Sequence, residues 1–226
     1  MKNFESSGAF VEKLENDNEA EKDFISKLTD EEVASGVEYS HIMLKPEAFL
    51  ADPAITNEVV SIIVRACEEN GLDIMAMFRA DIGRETVDEI YRKEIDAGII
   101  PDWELARFSE GRTGHIIVRG KFATEVTSKI KGKFTCDNCD KCWEEGNLQI
   151  DPHIVSSSKP PLPDWGSGCG IRGMLARKNI VSPDPNEING TVYNWIHAPD
   201  SGEDWSVQPA IDIFNHRKDR VYPFEV

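Results

Sequence analysis

The first ordered pattern along the chain is the short apolar run His41-Ile42-Met43-Leu44, closed by Lys45-Pro46, which predicts a strand. Asp52 followed by Pro53 marks a helix start, a capping carboxylate with proline at the first helical position. Ile55, Val59, Ile62, Ile63 and Ala66 recur at helical spacing behind it, and Gly71 after Asn70 ends the element. Leu72, Ile74, Ala76, Phe78 and Ala80 then alternate with Asp73, Met75, Met77 and Arg79, the period of a half-buried strand. Val87, Ile90, Tyr91 and Ile95 define a second amphipathic helix, and Pro101 to Phe108 a short third. His115 to Val118 reads as a strand, Phe122, Val126 and Ile130 as a lysine-studded helix, and Val192 to His197 as a late strand.

This alternation predicts an α+β sandwich in which helices cover an antiparallel sheet. Two regions stand apart from it. Residues 1–38 form an acidic extension with helical spacings such as Phe10 with Leu14 and Ala20, Phe24, Leu28. The main domain, 39–226, carries an insertion at about 133–168 with little periodicity, a serine triplet and Pro160-Pro161-Leu162-Pro163.

Charge narrows the function classes. Forty-one Asp and Glu against 25 Lys and Arg leave a net charge of -16 over 226 residues. Such a surface repels phosphate backbones and anionic lipid, so neither nucleic acid nor a membrane is expected as partner. No stretch approaches the roughly 20 apolar residues of a membrane span. Met1-Lys2-Asn3-Phe4-Glu5 lacks the apolar core of a secretory signal, so a cytoplasmic protein is expected. Three of the five cysteines, Cys136, Cys139 and Cys142, share a knuckle-like spacing. With His153 or Cys169 as a fourth ligand they could hold a structural Zn²⁺; the other reading is reduced free thiols.

Several short motifs fall in one order: Leu44-Lys45-Pro46-Glu47-Ala48, the helix residue Tyr91, Ile116-Ile117-Val118-Arg119-Gly120, Gly132, Ile171-Arg172-Gly173, and Asn194-Trp195-Ile196-His197-Ala198-Pro199-Asp200-Ser201. Together, over about residues 39–214, they resemble the nucleoside diphosphate kinase family. The resemblance implies a ferredoxin-like sandwich and a ping-pong transfer, from a nucleoside triphosphate to a nucleoside diphosphate, through a phosphohistidine on His197. It also implies Lys45 and Arg172 as phosphate-binding cations, Tyr91 orienting the lysine and histidine, Asn194 on the ribose, Mg²⁺ with the nucleotide, and a homo-oligomer. Trp103 and Phe108 fall where the family closes on the base. A neutral imidazole suits this chemistry because it is nucleophilic near neutral pH and splits one difficult displacement into two easier ones.

The chain departs from the family pattern at defined points. The family's second phosphate arginine falls on Ser128, next to Lys129, which would substitute for it. Ala198 and Pro199 replace the glycine and serine after the histidine. The carboxylate that orients the far nitrogen of the histidine falls on Gln208, with Asp212 and Glu203 nearby. Two readings stay open on these grounds: a turning-over phosphotransferase, whose acceptor could also be a non-nucleotide, and a nucleotide-binding or scaffold module.

Overall fold

A computed structural model describes residues 25–50, 52–98, 100, 102–109, 111–132, 170–177, 195–199, 207–216 and 220–224. In chain order its elements are α1 (Asp30–Ala34), β1 (Val37–Leu44), α2 (Pro53–Glu69), β2 (Asp73–Asp81), α3 (Arg84–Ile90), α4 (Arg92–Asp96), α5 (Asp102–Ser109), β3 (Arg112–Lys121), α6 (Ala123–Lys131), α7 (Gly170–Arg177), β4 (Ile196–His197), α8 (Val207–His216) and β5 (Val221–Tyr222). A single 3₁₀ turn, Pro46–Phe49, follows β1. The five strands pair antiparallel in the order β4-β1-β3-β2-β5, giving the ferredoxin-like α+β sandwich.

Both faces of the sheet are covered, which is why β1 and β3 show unbroken buried runs rather than alternation. On one face Ile42, Leu44, Ile116 and Val118 pack against Val59, Ile62, Ile63 and Ala66 of α2, Val126 and Ile130 of α6, and Ile171 and Leu175 of α7. On the other, Met43, Phe78, Ala76 and Ile117 meet Val87 and Ile90 of α3, Leu105 and Phe108 of α5, and Ala210, Ile211 and Phe214 of α8. Each fully buried aliphatic or aromatic side chain here contributes roughly 1.5–3 kcal/mol.

Local chemistry explains the boundaries. Asp52 caps α2 by accepting from the Ala54 amide at 2.9 Å, with Pro53 at the first turn, and Asn70 closes the helix with its side chain on the Ala66 carbonyl. The single helix expected around Tyr91 is two, because Tyr91 leaves helical geometry (φ −107°, ψ 19°) and closes α3 as it opens α4. Ile171-Arg172-Gly173 belongs to a helix rather than a turn. Phe122 does not join the buried stripe of α6. It caps the helix in a left-handed conformation (φ 58°), 66% exposed.

Residues before β1 also pack on the domain. Ile25 is buried beside α8, and the Asn215 amide accepts from the Ile25 N–H and donates to its carbonyl, both at 3.1 Å. Leu28 lies outside any helix, and α1 is held by a capping box between Thr29 and Glu32 while Glu32 pairs with Arg119 of β3. Residues 1–24 and the insertion lie outside the described residues. Among the described residues no helix is long and apolar enough to cross a membrane.

Candidate active site

The site forms where β4 joins the end of β1. Register sets Met43 opposite His197 and Leu44 opposite Ile196, and the Lys45 amide donates to the Trp195 carbonyl at 2.8 Å. Two residues 152 positions apart, Lys45 and His197, are thereby held on neighbouring strand ends. The Lys45 ammonium is buried (2% exposed), 4.1 Å from the Phe108 ring centre and 5.7 Å from that of Tyr91. Cation–π attraction holds an ammonium that water would otherwise solvate. Tyr91 stacks on Phe108 and tilts against His197, ring centres 4.6 Å apart, so the break between α3 and α4 places this ring between the lysine and the histidine.

Two further cations approach from the opposite face. Arg172 of α7 reaches the Ile196 carbonyl from Nη2 at 3.3 Å. Lys131, at the last turn of α6 and 5% exposed, donates from Nζ to the Ala198 carbonyl at 2.8 Å. Lys129, the substitute expected from sequence, sits elsewhere: it pairs with Glu125 at the surface, 2.7 Å away. Helical periodicity decides between the two lysines. The buried face of α6 is Ala123, Thr124, Val126, Thr127, Ile130 and Lys131, and Lys131 lies four and seven residues after Thr127 and Thr124. That spacing was available in the sequence as a signal.

His197 is 6% exposed. Burial first, then the charges of Lys131, Lys45, His41 and Arg172, hold its imidazole well below the ordinary histidine range, so it is neutral at physiological pH. Its Nε2 is buried and has no hydrogen-bond partner among the described residues. Gln208, at the offset of the family's carboxylate, donates instead to Asp212 at 2.7 Å on the exposed side of α8. A neutral nitrogen nucleophile bordered by three cations is equipped to accept a phosphoryl group and to steady the anionic oxygens around it.

Asn194, Glu203, Cys136, Cys139, Cys142, His153 and Cys169 lie outside the described residues, as does the side chain of Trp103. Among the described residues no group of three or more His, Cys, Asp or Glu is placed to hold a metal ion. Cys67 is buried in α2, where burial pushes its thiol up to about 12, an unreactive core sulfur.

The buried neutral histidines make stability depend on pH. His115 and His197 both have folded values below the unfolded one, which is about 6.5. Above about pH 6.5 neither state is protonated and their contribution is complete. As pH falls below it, the unfolded chain takes up protons that the folded one refuses. Stability then declines by up to about 1.4 kcal/mol per pH unit for each histidine until the folded value is reached. Urea midpoints at about pH 8 and pH 5 check this; an unchanged midpoint would mean that neither imidazole is buried neutral.

No family model and no curated protein matches the chain. Solved structures do. Nucleoside diphosphate kinase from Encephalitozoon cuniculi is 18% identical over 83% of this chain and 96% of its own, with a TM-score of 0.44. The enzyme from Borrelia burgdorferi, a transition-state mimic with bound vanadate and ADP, is 16% identical over 85% and 94%, TM-score 0.46. An NDP kinase from Pyrobaculum aerophilum is 21% identical over 80% and 94%, TM-score 0.40. These neighbours carry the family name that the sequence motifs suggested, and nothing about this chain's substrate or activity follows from likenesses at that level.

Proposed function

We propose that the chain is a phosphotransferase working through a phosphohistidine on His197, from a nucleoside triphosphate to a nucleoside diphosphate. The observation that supports it most is the neutral imidazole of His197 among Lys45, Lys131 and Arg172. In the first half-reaction a ring nitrogen of His197 bonds to the γ-phosphorus, the bond to the bridging oxygen breaks, and the diphosphate leaves with that oxygen. In the second, an oxygen of the acceptor diphosphate bonds to phosphorus and the nitrogen–phosphorus bond breaks. The three cations draw the phosphates into a chain that is otherwise strongly acidic and offset the charge on the transferring group. The described side chains converging on His197 are cationic, aromatic or apolar, so they fit phosphate oxygens rather than a resident divalent ion. Mg²⁺ would arrive on the nucleotide as part of the substrate.

A second reading is a module that binds nucleotide without turnover: among the described residues none bonds to His197 Nε2, and Gln208 stands at the offset of the family's carboxylate. One experiment separates the two. Wild type and His197→Ala are incubated with γ-labelled ATP and Mg²⁺, and acid-labile, base-stable label is measured and chased with nucleoside diphosphates. The phosphotransferase reading expects label on wild type alone, discharged by diphosphates. Bound nucleotide with no label would leave the binding module standing, and label that diphosphates cannot remove would point to a non-nucleotide acceptor.

A further inference from the structure

Lys45 stands at the N-cap of the 3₁₀ turn Pro46–Phe49, and that turn is seated on the face of the sheet away from Phe108 and Tyr91. Strand alternation sends the Leu44 side chain to the α2 face and the Lys45 side chain to the face that α3 and α5 cover. Four residues later the Phe49 ring packs back into the α2-face core. The backbone of Lys45 is tied on both sides. Its amide donates to the Trp195 carbonyl at 2.8 Å, and its carbonyl accepts from the Ala48 amide of the turn at 3.0 Å. A 3₁₀ turn this short has poor hydrogen-bond geometry, so its packing decides where it rests.

Two glycines and the C-terminal segment make the seat. Leu44, Gly114, Arg79 and Tyr222 stand in one row across β1, β3, β2 and β5. Gly114 leaves a gap in that row, which the Phe49 ring fills: a Cβ at Gly114 would lie 2.6 Å from Phe49 Cζ and 3.0 Å from Phe224 Cε2. Gly111, just before β3, does the same for the start of the turn, where a Cβ would lie 2.8 Å from Pro46 Cβ. Phe224 is buried and meets Phe49 edge-on, ring centres 6.0 Å apart at 71°. The Arg79 guanidinium covers Phe49, 4.0 Å from its ring centre. Strand β5 brings Phe224 to this place. Val221 and Tyr222 pair with Ala80 and Arg79, and the Arg112 guanidinium lies 3.6 Å from the Tyr222 ring centre. Thr56 of α2 fastens the turn as well, donating to the Ala48 carbonyl at 2.5 Å.

These contacts lie outside the groups around His197, yet they end on its lysine. Close packing passes a shift on rather than absorbing it, so a Phe49 ring pushed out of its slot moves the turn, and the turn holds the Lys45 carbonyl. We propose that the C-terminal segment Val221–Phe224 is a strap that positions Lys45. Phe224 closes the slot in which Gly114 and Gly111 seat the turn, and so fixes the lysine whose ammonium lies on Phe108 and Tyr91. Phe224 and Gly114 are positioning residues that act through Phe49. The inference rests on the phosphotransferase reading for its catalytic consequence, while the place of the ammonium is measurable without any transfer.

The test is ¹H–¹³C spectra of the full chain with ¹³C-lysine. The Phe108 ring should shift the ε-CH₂ signal of Lys45 upfield of the other lysines, and its loss in Lys45→Arg identifies it. Phe224→Ala, which removes one wall of the slot, and Gly114→Ala, which fills the slot itself, should both move this signal toward the ordinary lysine position. Phe224→Leu, which refills most of the volume, should restore it. Labelling by γ-labelled ATP should slow about 10–10²-fold in the first two variants and recover in the third, the loss that follows when a group meeting the substrate is misplaced by about 1 Å. Gly71→Ala, which loses stability away from the turn, should leave signal and rate unchanged. A Lys45 signal that stays upfield in both Phe224→Ala and Gly114→Ala overturns the proposal, as does an equal movement in Gly71→Ala. If the signal moves as stated but no form takes label, wild type included, the positioning stands and the phosphotransferase reading falls. Label on wild type with an unmoved signal means the reverse.

Discussion

Lys131→Ala is expected to slow phosphohistidine formation on His197 by about 10²–10³-fold, the usual loss when one fixed electrostatic contact to a transferring group is removed. Lys129→Ala, two residues away on the same helix, should change it less than about twofold, since an exposed pair such as Lys129–Glu125 is worth at most about 1 kcal/mol. The contrast follows from burial. The Lys131 ammonium is held by the Ala198 carbonyl next to His197, and after burial its charge does most among the neighbouring charges to hold that imidazole neutral. Removing it also lets His197 take a proton more readily, so the acid side of the pH–rate profile should move to higher pH. Single-turnover labelling of the two variants across pH measures both effects. Equal effects of the two substitutions would show that the site does not use Lys131.

Gly170→Ala is expected to cost about 2–5 kcal/mol, the sum of a left-handed backbone for a non-glycine residue and overpacking against a rigid neighbour. Gly170 has φ +61°, and a Cβ there would lie 2.6 Å from the Ile130 carbonyl oxygen and 2.7 Å from Gly132 Cα. Those are backbone atoms, which cannot swing aside as a side-chain tip can. Gly71→Ala is the control: φ is +71° but nothing lies within 4 Å of the new Cβ, so only the conformational cost of about 1–2 kcal/mol remains. Urea unfolding of the three proteins checks the order. The consequence reaches the site, because Gly170 is where α7 seats on the end of α6, and those two helices deliver Arg172 and Lys131. A Gly170→Ala protein as stable as the Gly71→Ala protein would mean that α7 does not seat there.

Much of the fold is legible before any coordinates. Asp52-Pro53 announces α2, and the alternation from Leu72 to Ala80 announces β2, because both signals are local: a cap and a period depend only on neighbours in sequence. The break at Tyr91 was not legible. Val87, Ile90, Tyr91 and Ile95 keep a helical period through it, while the Tyr91 ring at the break meets Phe108 and His197, residues distant in the chain. Strand β5 carries no sequence signal, because two residues, Val221 and Tyr222, are too few to show a period.

By itself the sequence determined the α+β class, the caps and the strand periods, since each depends on residue type and near spacing, while His197, Lys45 and Arg172 were singled out by motifs that resemble those of a known family. The tertiary structure alone decided which groups stand together: the order β4-β1-β3-β2-β5, the Lys131 ammonium on the Ala198 carbonyl beside His197, and the row His115, Met43, His197 across three strands. The physical reason is that charge, burial and hydrogen bonding act through space over a few ångströms. A one-dimensional pattern constrains those distances only along a single helix or strand, and pairing between strands fixes the rest.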